Sequence, residues 1–310
     1  MSKIVLLATE KPFSAAARDE VVAIIKSAGY TARVLESYKG KGPLLEAIAD
    51  ADAAIVRSDI IDAEVLGAAK KLALVVRAGA GYDNIDTAAA KGKSVAVMNT
   101  PGQNANAVAE LAFGMMVYLA RGKFDGKTGS ELRGKTLGLH AFGAVGRAVA
   151  TIANGFGMTV FAYDPFVKPE AFKAAGVEAV GSAEELYKRS QYVSLHVPAT
   201  AETKNSIGKK LLSLMPKGGT LVNTARKEII NEAELLEAFG ERADLRYISD
   251  IPPSDATLAT LKEKFGARVY VTPSKMGAQT EEANVNAGLA AARQIVGFFE
   301  RGERQFIVNP

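Results

Sequence analysis

Lys135-Thr136-Leu137-Gly138-Leu139-His140-Ala141-Phe142-Gly143-Ala144-Val145-Gly146-Arg147 is the stretch whose reading decides the fold. An apolar run breaks into a glycine-containing turn, and the turn opens directly into a helical pattern. A second apolar run, residues 159–163, ends on Asp164. This is the layout of a dinucleotide site. Backbone N–H groups at the turn meet a pyrophosphate at a helix N-terminus, and an acidic residue at the next strand end accepts from ribose hydroxyls. Phe142, Gly143, Ala144, Val145 and Gly146 are therefore candidate cofactor residues, with Asp164 on the ribose. In the G-x-G-x-x-G pattern the first position is Ala141, while Gly143 and Gly146 hold the second and third. The fingerprint is weakened there, and alanine fits if the turn keeps its φ negative. The charge of Asp164 repels the 2′-phosphate of NADP, so NAD is the expected cofactor.

Working outward, a chain of 310 residues is long enough for about two domains with independent cores. Hydrophobic content of 48% with 23% charged residues is ordinary for a globular protein. A net charge of +4 gives nucleic acid no case as the main partner, though it suits small anionic molecules. The absence of cysteine excludes disulfides, thiolate nucleophiles and cysteine-based zinc sites, and no metal site is expected. The first residues have no signal-peptide layout, and no apolar run approaches the roughly 20 residues of a membrane span. A cytoplasmic protein with no membrane partner is expected. Only two histidines occur, His140 and His196, which narrows the choice of proton carriers.

Residues 4–8, 32–35, 53–56, 72–76 and 95–98 read as short buried strands rich in Val, Ile, Leu and Ala. Residues 15–28 place Val21, Val22, Ile24 and Ile25 at helical spacing and stop at Gly29. A long helix over 105–120 leads into the glycine-turn unit. Its strands are read at 136–142, 159–163, 192–195, 220–223, 246–249 and 269–271, separated by helices such as 232–239. This alternation predicts an α/β protein with two doubly wound parallel-sheet domains. A last helix, about 281–301, carries Val285, Leu289, Ile295, Val296 and Phe299 and is expected to pack back on the first domain. The boundaries read from this are 1–98 plus 284–310 for a discontinuous first domain, and 99–283 for the dinucleotide-binding domain. Two crossings between lobes imply a cleft, where a small-molecule site is expected. Little follows the last helix, so no C-terminal regulatory domain is expected.

Further segments carry a resemblance: Val56-Arg57-Ser58, Arg77-Ala78-Gly79-Ala80-Gly81-Tyr82-Asp83-Asn84-Ile85-Asp86, Asn99-Thr100-Pro101-Gly102-Gln103-Asn104, Tyr163-Asp164-Pro165, His196-Val197-Pro198 and Asn223-Thr224-Ala225-Arg226. With the glycine turn, and in this order, they resemble the D-2-hydroxyacid dehydrogenases over nearly the whole chain, closest to the phosphoglycerate dehydrogenase branch. The resemblance implies a Rossmann-type NAD domain and a flavodoxin-like substrate domain, with the active site in the cleft between them. It also implies a homodimer, and oxidation of D-3-phosphoglycerate to 3-phosphohydroxypyruvate, the first step of serine biosynthesis. It places His196, Val197, Pro198, Thr203, Thr224, Ala225 and Asp250 beside the cofactor.

Hydride transfer at C2 of a hydroxy acid needs a cation to polarise the C2 oxygen and an acid/base to exchange its proton. Arg226 matches the family's arginine at a strand end, and a planar guanidinium suits a carboxylate with an adjacent carbonyl. The family's histidine follows Thr-Pro, but this chain reads Thr272-Pro273-Ser274-Lys275-Met276-Gly277-Ala278-Gln279-Thr280-Glu281-Glu282. Counting back from Thr-Glu-Glu, Lys275 takes the histidine's place with one residue inserted. Counting five on from Asp250, the position of the family's glutamate is Asp255, one methylene shorter. Lys275 as the acid/base is one reading; its reference pKa of about 10.4 suits an acid, and a base would need depression. The other is a Lys275 that binds substrate or neutralises Asp255, with water moving the proton.

Arg57 and Arg77 each end a strand of the first domain, where open α/β sheets bind ligands. With Asn104 they match family positions that hold phosphate and carboxylate, so a doubly anionic substrate is expected. Ser58 adds a hydroxyl, and Gly79, Ala80 and Gly81 form a loop whose glycine N–H groups can meet the carboxylate. Two alternatives stay open. One is a glyoxylate or hydroxypyruvate reductase; the other is a non-catalytic NADH-sensing corepressor or scaffold, which only the missing histidine favours.

Overall fold

A computed structural model describes residues 2–310, which divide into two compact units. The first comprises the chain up to Asn104 and again Ala278–Pro310; the second is Ala105–Gly277. The division falls six residues beyond 98 and six before 284. Its second crossing precedes the last helix, Glu281–Arg301, so that the helix stays whole in one unit.

The first unit holds five strands: β1 (Ile4–Thr9), β2 (Thr31–Glu36), β3 (Ala53–Val56), β4 (Leu74–Arg77) and β5 (Ala96–Asn99). They are all parallel, in the order β2-β1-β3-β4-β5. This is the flavodoxin-like order, with its switch point between β1 and β3. Every side chain of β3 is buried, as expected of a central parallel strand covered on both faces. Helix Ala15–Ser27 starts at Ser14, whose hydroxyl accepts from the Ala17 N–H, and Gly29 follows it at φ +77°. Helix Glu281–Arg301 is capped by Thr280 and ended by left-handed Gly302. Its small residues Ala287, Ala291 and Ala292, with Ile295, join Val21 and Ile25 in one buried cluster over β1, β3 and β4. Beyond it, Ile307 forms an antiparallel bridge with Met98 and the Val308 N–H donates to Val97 O, which covers the open edge of β5.

The second unit holds β6 (Thr136–His140), β7 (Thr159–Tyr163), β8 (Glu178–Ala179), β9 (Tyr192–Leu195), β10 (Thr220–Asn223), β11 (Arg246–Ser249) and β12 (Val269–Val271). They run parallel in the order β12-β11-β10-β9-β6-β7-β8, with the switch point between β6 and β9. One face is packed by helices Ala105–Ala120 and Ala144–Gly155, the other by Ala183–Arg189, Lys209–Leu214 and Glu232–Glu241. The expected α/β class and doubly wound sheets are present. Strand β6 ends at His140 rather than 142, because Ala141 leaves the extended region. Strand β8 is too short, at two residues, to leave a readable period. Among the described residues no helix is long and apolar enough to cross a membrane.

Candidate functional site

The turn after β6 is built as a receptor for an anion. Gly143 is the N-cap of helix Ala144–Gly155 and offers no side chain, so the first-turn N–H groups are left uncapped. Gly146 is required by space. A Cβ there would lie 2.6 Å from the Ala141 carbonyl oxygen, which is backbone and cannot swing aside. Ala141 overturns the expectation of a negative φ: it sits at +78° and does the work of the missing first glycine. Asp164 faces this turn. One carboxylate oxygen accepts the Phe142 N–H at 2.8 Å and the other accepts the Phe166 N–H at 2.9 Å.

Across the switch point, His196 follows β9 and its N–H donates to His140 O. The His196 Nε2 and, beyond β10, the Thr224 Oγ1 are buried without a hydrogen-bond partner. Two orphaned polar atoms and an uncapped helix N-terminus, all at the carboxyl ends of β6, β9 and β10, fit a polar ligand there. Burial holds both imidazoles neutral, with pKa values lowered to about 4 for His140 and about 3 for His196. Val197 is buried and Pro198 exposed. Thr203 is used locally: its hydroxyl donates to Pro198 O and accepts the Thr200 N–H, closing the loop after β9. A cavity of about 410 Å³ beside this loop is lined by His140, Tyr163, Val197 and Thr203 among others.

Arg226 and Lys275 each sit on a segment fixed by a buried polar residue. Fully buried Asn223 donates from Nδ2 to Arg226 O and accepts the Ala225 N–H, shaping the turn from which half-buried Arg226 projects. Asp250 is 1% exposed. Its Oδ1 accepts from Thr272 Oγ1 and from the Met276 N–H at 2.9 Å, and its Oδ2 accepts the Gly277 N–H at 2.8 Å. The carboxylate read as a nicotinamide contact is thus turned to the segment carrying Lys275, which is itself exposed. Asp255 is exposed in the first turn of helix Asp255–Phe265, where a carboxylate offsets the helix dipole. That placement gives Asp255 a structural role in the helix beside the acid/base-tuning role read from its spacing after Asp250.

In the first unit, Arg57 lies at the switch point between β1 and β3 but turns inward. Its Nη1 donates to Lys11 O and Pro12 O, its Nη2 to Asn284 Oδ1 at 2.6 Å, and its guanidinium stacks on Phe13. Burial lowers its pKa, against the raising influence of Asp59. The Arg77 Nε donates to Arg57 O, and its guanidinium lies across Gly79, where a Cβ would fall 1.4 Å from Nη1. The Gly79 N–H donates to Thr100 Oγ1 at 2.6 Å, so the expectation that it meets a substrate carboxylate is corrected; Gly79 supplies room for Arg77. The Ala80 carbonyl is held by Asn99, Ser58 is exposed, and Gly81 and Asn104 are half-buried. Sequence reasoning missed Asp59, which is 3% exposed and accepts from the N–H groups of Glu10 and Arg57 and from Tyr38. Asp59 stands three residues past the end of β3 and accepts the N–H two residues before it, the reverse of an Asx turn, so no local signal announces it.

A parallel sheet with a glycine turn at its switch point defines a dinucleotide-binding unit. The family described as "D-isomer specific 2-hydroxyacid dehydrogenase, NAD binding domain" matches residues 114–273. The chain is 40% identical over 273 residues to a D-3-phosphoglycerate dehydrogenase of Methanocaldococcus jannaschii, covering 82% of this chain and 51% of that one. It is 38% identical over 280 residues to a hydroxypyruvate reductase of Thermotoga maritima, covering 84% of this chain and 89% of that one. A crystal structure of NAD+-bound 3-phosphoglycerate dehydrogenase from Entamoeba histolytica matches with a TM-score of 0.89 and 46% identity, covering 100% of this chain and 99% of that one. The protein belongs to the D-isomer specific 2-hydroxyacid dehydrogenase family and carries its NAD-binding domain. It spans about half the length of the curated D-3-phosphoglycerate dehydrogenases it matches.

Proposed function

We propose that the protein oxidises D-3-phosphoglycerate to 3-phosphohydroxypyruvate with NAD. Bound NAD supplies the hydride acceptor. The turn residues Phe142 to Gly146 hold its pyrophosphate, Asp164 its ribose, and His196 and Thr224 offer the polar atoms left unpaired beside them. Arg226 binds the substrate carboxylate and polarises the C2 oxygen, and Lys275 receives the C2 hydroxyl proton as the hydride leaves C2. In the reverse direction its ammonium returns that proton. Arg77 and Arg57 supply positive charge for the phosphate from the first, substrate-binding unit. Asp250 acts through the segment bearing Lys275, and Asn223 through the turn bearing Arg226.

The observation that carries this reading is the Asp250 clamp. A buried carboxylate fixes the two N–H groups after Lys275, an arrangement that confers positional accuracy on an otherwise exposed amine. The test is NADH oxidation with 3-phosphohydroxypyruvate, hydroxypyruvate and glyoxylate. Preference for the phosphorylated acid is expected. Oxidation only with unphosphorylated acids moves the assignment to the second reading, a hydroxypyruvate reductase, which the 89% coverage of the Thermotoga relative favours. No oxidation with any of them leaves a non-catalytic NADH-binding protein.

We also read the protein as a cytoplasmic homodimer. Light scattering on the purified chain returns twice 32.6 kDa if this holds.

A further inference from the structure

Ala141 adopts a backbone conformation that glycine takes freely and alanine resists, at φ +78°. Such a conformation persists only where its surroundings over-determine it. Here they do. The Ala141 N–H donates to Tyr163 O at 2.9 Å, the last step of the β6–β7 ladder. The next residue, Phe142, is fully buried; its ring stacks on Phe172 at 4.8 Å and lies 4.8 Å from the Arg147 guanidinium. Between the two anchors, the Phe142 N–H points at Asp164 Oδ2, while Asp164 Oδ1 is fixed by the Phe166 N–H. The Ala141 carbonyl is then presented so close to Gly146 that only a glycine fits beneath it.

We propose that Asp164 is a positioning residue for the pyrophosphate turn as well as a ribose acceptor, holding Ala141 in its left-handed conformation by clamping the Phe142 amide. A carboxylate has room for this: two oxygens offer about four acceptor sites, and the turn and the Phe166 N–H use two. A residue read as choosing between cofactors by its charge is thereby also part of the scaffold of the turn. The requirement is specific to a chain with alanine at this position, because a glycine would hold the same φ without help. The Ala141 methyl packs against the second unit's core, so replacing it with glycine relieves backbone strain while removing packing, and Ala141→Gly is close to neutral for stability.

The inference rests on the reading of this turn as the NAD pyrophosphate site, and the test separates the two. The probe is 2′,3′-dideoxyadenosine diphosphate, which keeps a pyrophosphate and lacks the ribose hydroxyls, titrated calorimetrically beside NAD. Asp164→Ala is expected to weaken the dideoxy probe about tenfold or more. Ala141→Gly alone should leave it within about twofold, and the double variant should return to within about threefold of the parent. Dideoxy affinity unchanged in Asp164→Ala, or unrestored by Ala141→Gly, overturns the clamp. NAD affinity fully restored in the double variant overturns the ribose contact and leaves the clamp standing. If Asp164→Ala does not fold, Asp164→Asn is read without ligand by hydrogen exchange at the Phe142 amide. Exchange about tenfold faster than in the parent is expected, and unchanged exchange overturns the proposal.

Discussion

The two units share an architecture and differ in what each does with its switch point. Between β6 and β9 the second unit leaves an uncapped helix N-terminus, a glycine beneath a carbonyl, and two buried polar atoms without partners. Between β1 and β3 the first unit fills the equivalent place with its own chain. Arg57 is tied to Lys11, Pro12 and Asn284, and Asp59 gathers Glu10, Tyr38 and the Arg57 backbone. The parallel sheet determines where a ligand can be bound; the residues at the strand ends determine whether the backbone or a side chain receives it. The second unit presents uncapped backbone N–H groups at its switch point. The first presents arginine side chains committed to its own backbone and to Asn284.

Replacing Lys275 by Ala gives the largest expected change, a fall in turnover of about 10²–10⁴-fold with NAD affinity retained. Turnover unchanged in single-turnover kinetics would hand the proton to water. Gly146→Ala should make the second switch point as occupied as the first, weakening NAD by about 10²-fold in calorimetry, since a shifted turn misplaces the cofactor. Asp250→Asn should lower kcat about tenfold while the dissociation constant for NAD stays within about twofold. The opposite pattern would return Asp250 to the cofactor. Arg57→Met tests the first unit, with KM for the phosphorylated substrate rising about fivefold at unchanged kcat; a constant KM would leave Arg57 as a plug alone.

A further expectation concerns stability against pH. The folded-state pKa of His140, about 4, lies below the ordinary 6.5, so the unfolded chain binds the proton more readily. The corresponding stability is whole above pH 6.5 and declines as pH falls toward 4. His140→Gln should flatten that decline by up to about 1.4 kcal/mol per pH unit, read from thermal melts.

The glycine turn, Asp164 and the strand alternation were legible because local patterns state them. What escaped was set by hydrogen bonds between residues far apart in sequence. Nothing near Asp250 announces that its carboxylate is committed to Met276 and Gly277, some 26 residues on. Asp59 and Thr100 hold turns together in the same way and carry no signature of their own. Ala141 was misjudged for a related reason: its φ is imposed by Tyr163, Phe142 and Asp164 together, whereas its side chain argues for the opposite sign. Asp255 illustrates the converse, a residue placed by counting whose position in a helix's first turn gives it an ordinary structural explanation.

The discontinuity of the first unit has a consequence for biogenesis. Its core over β1, β3 and β4 is closed by Ala287, Ala291 and Ile295, which emerge from the ribosome after the entire second unit. The strands made earliest therefore wait, with one apolar face bare, while the NAD-binding unit is synthesised and can fold. The unit translated first is completed last.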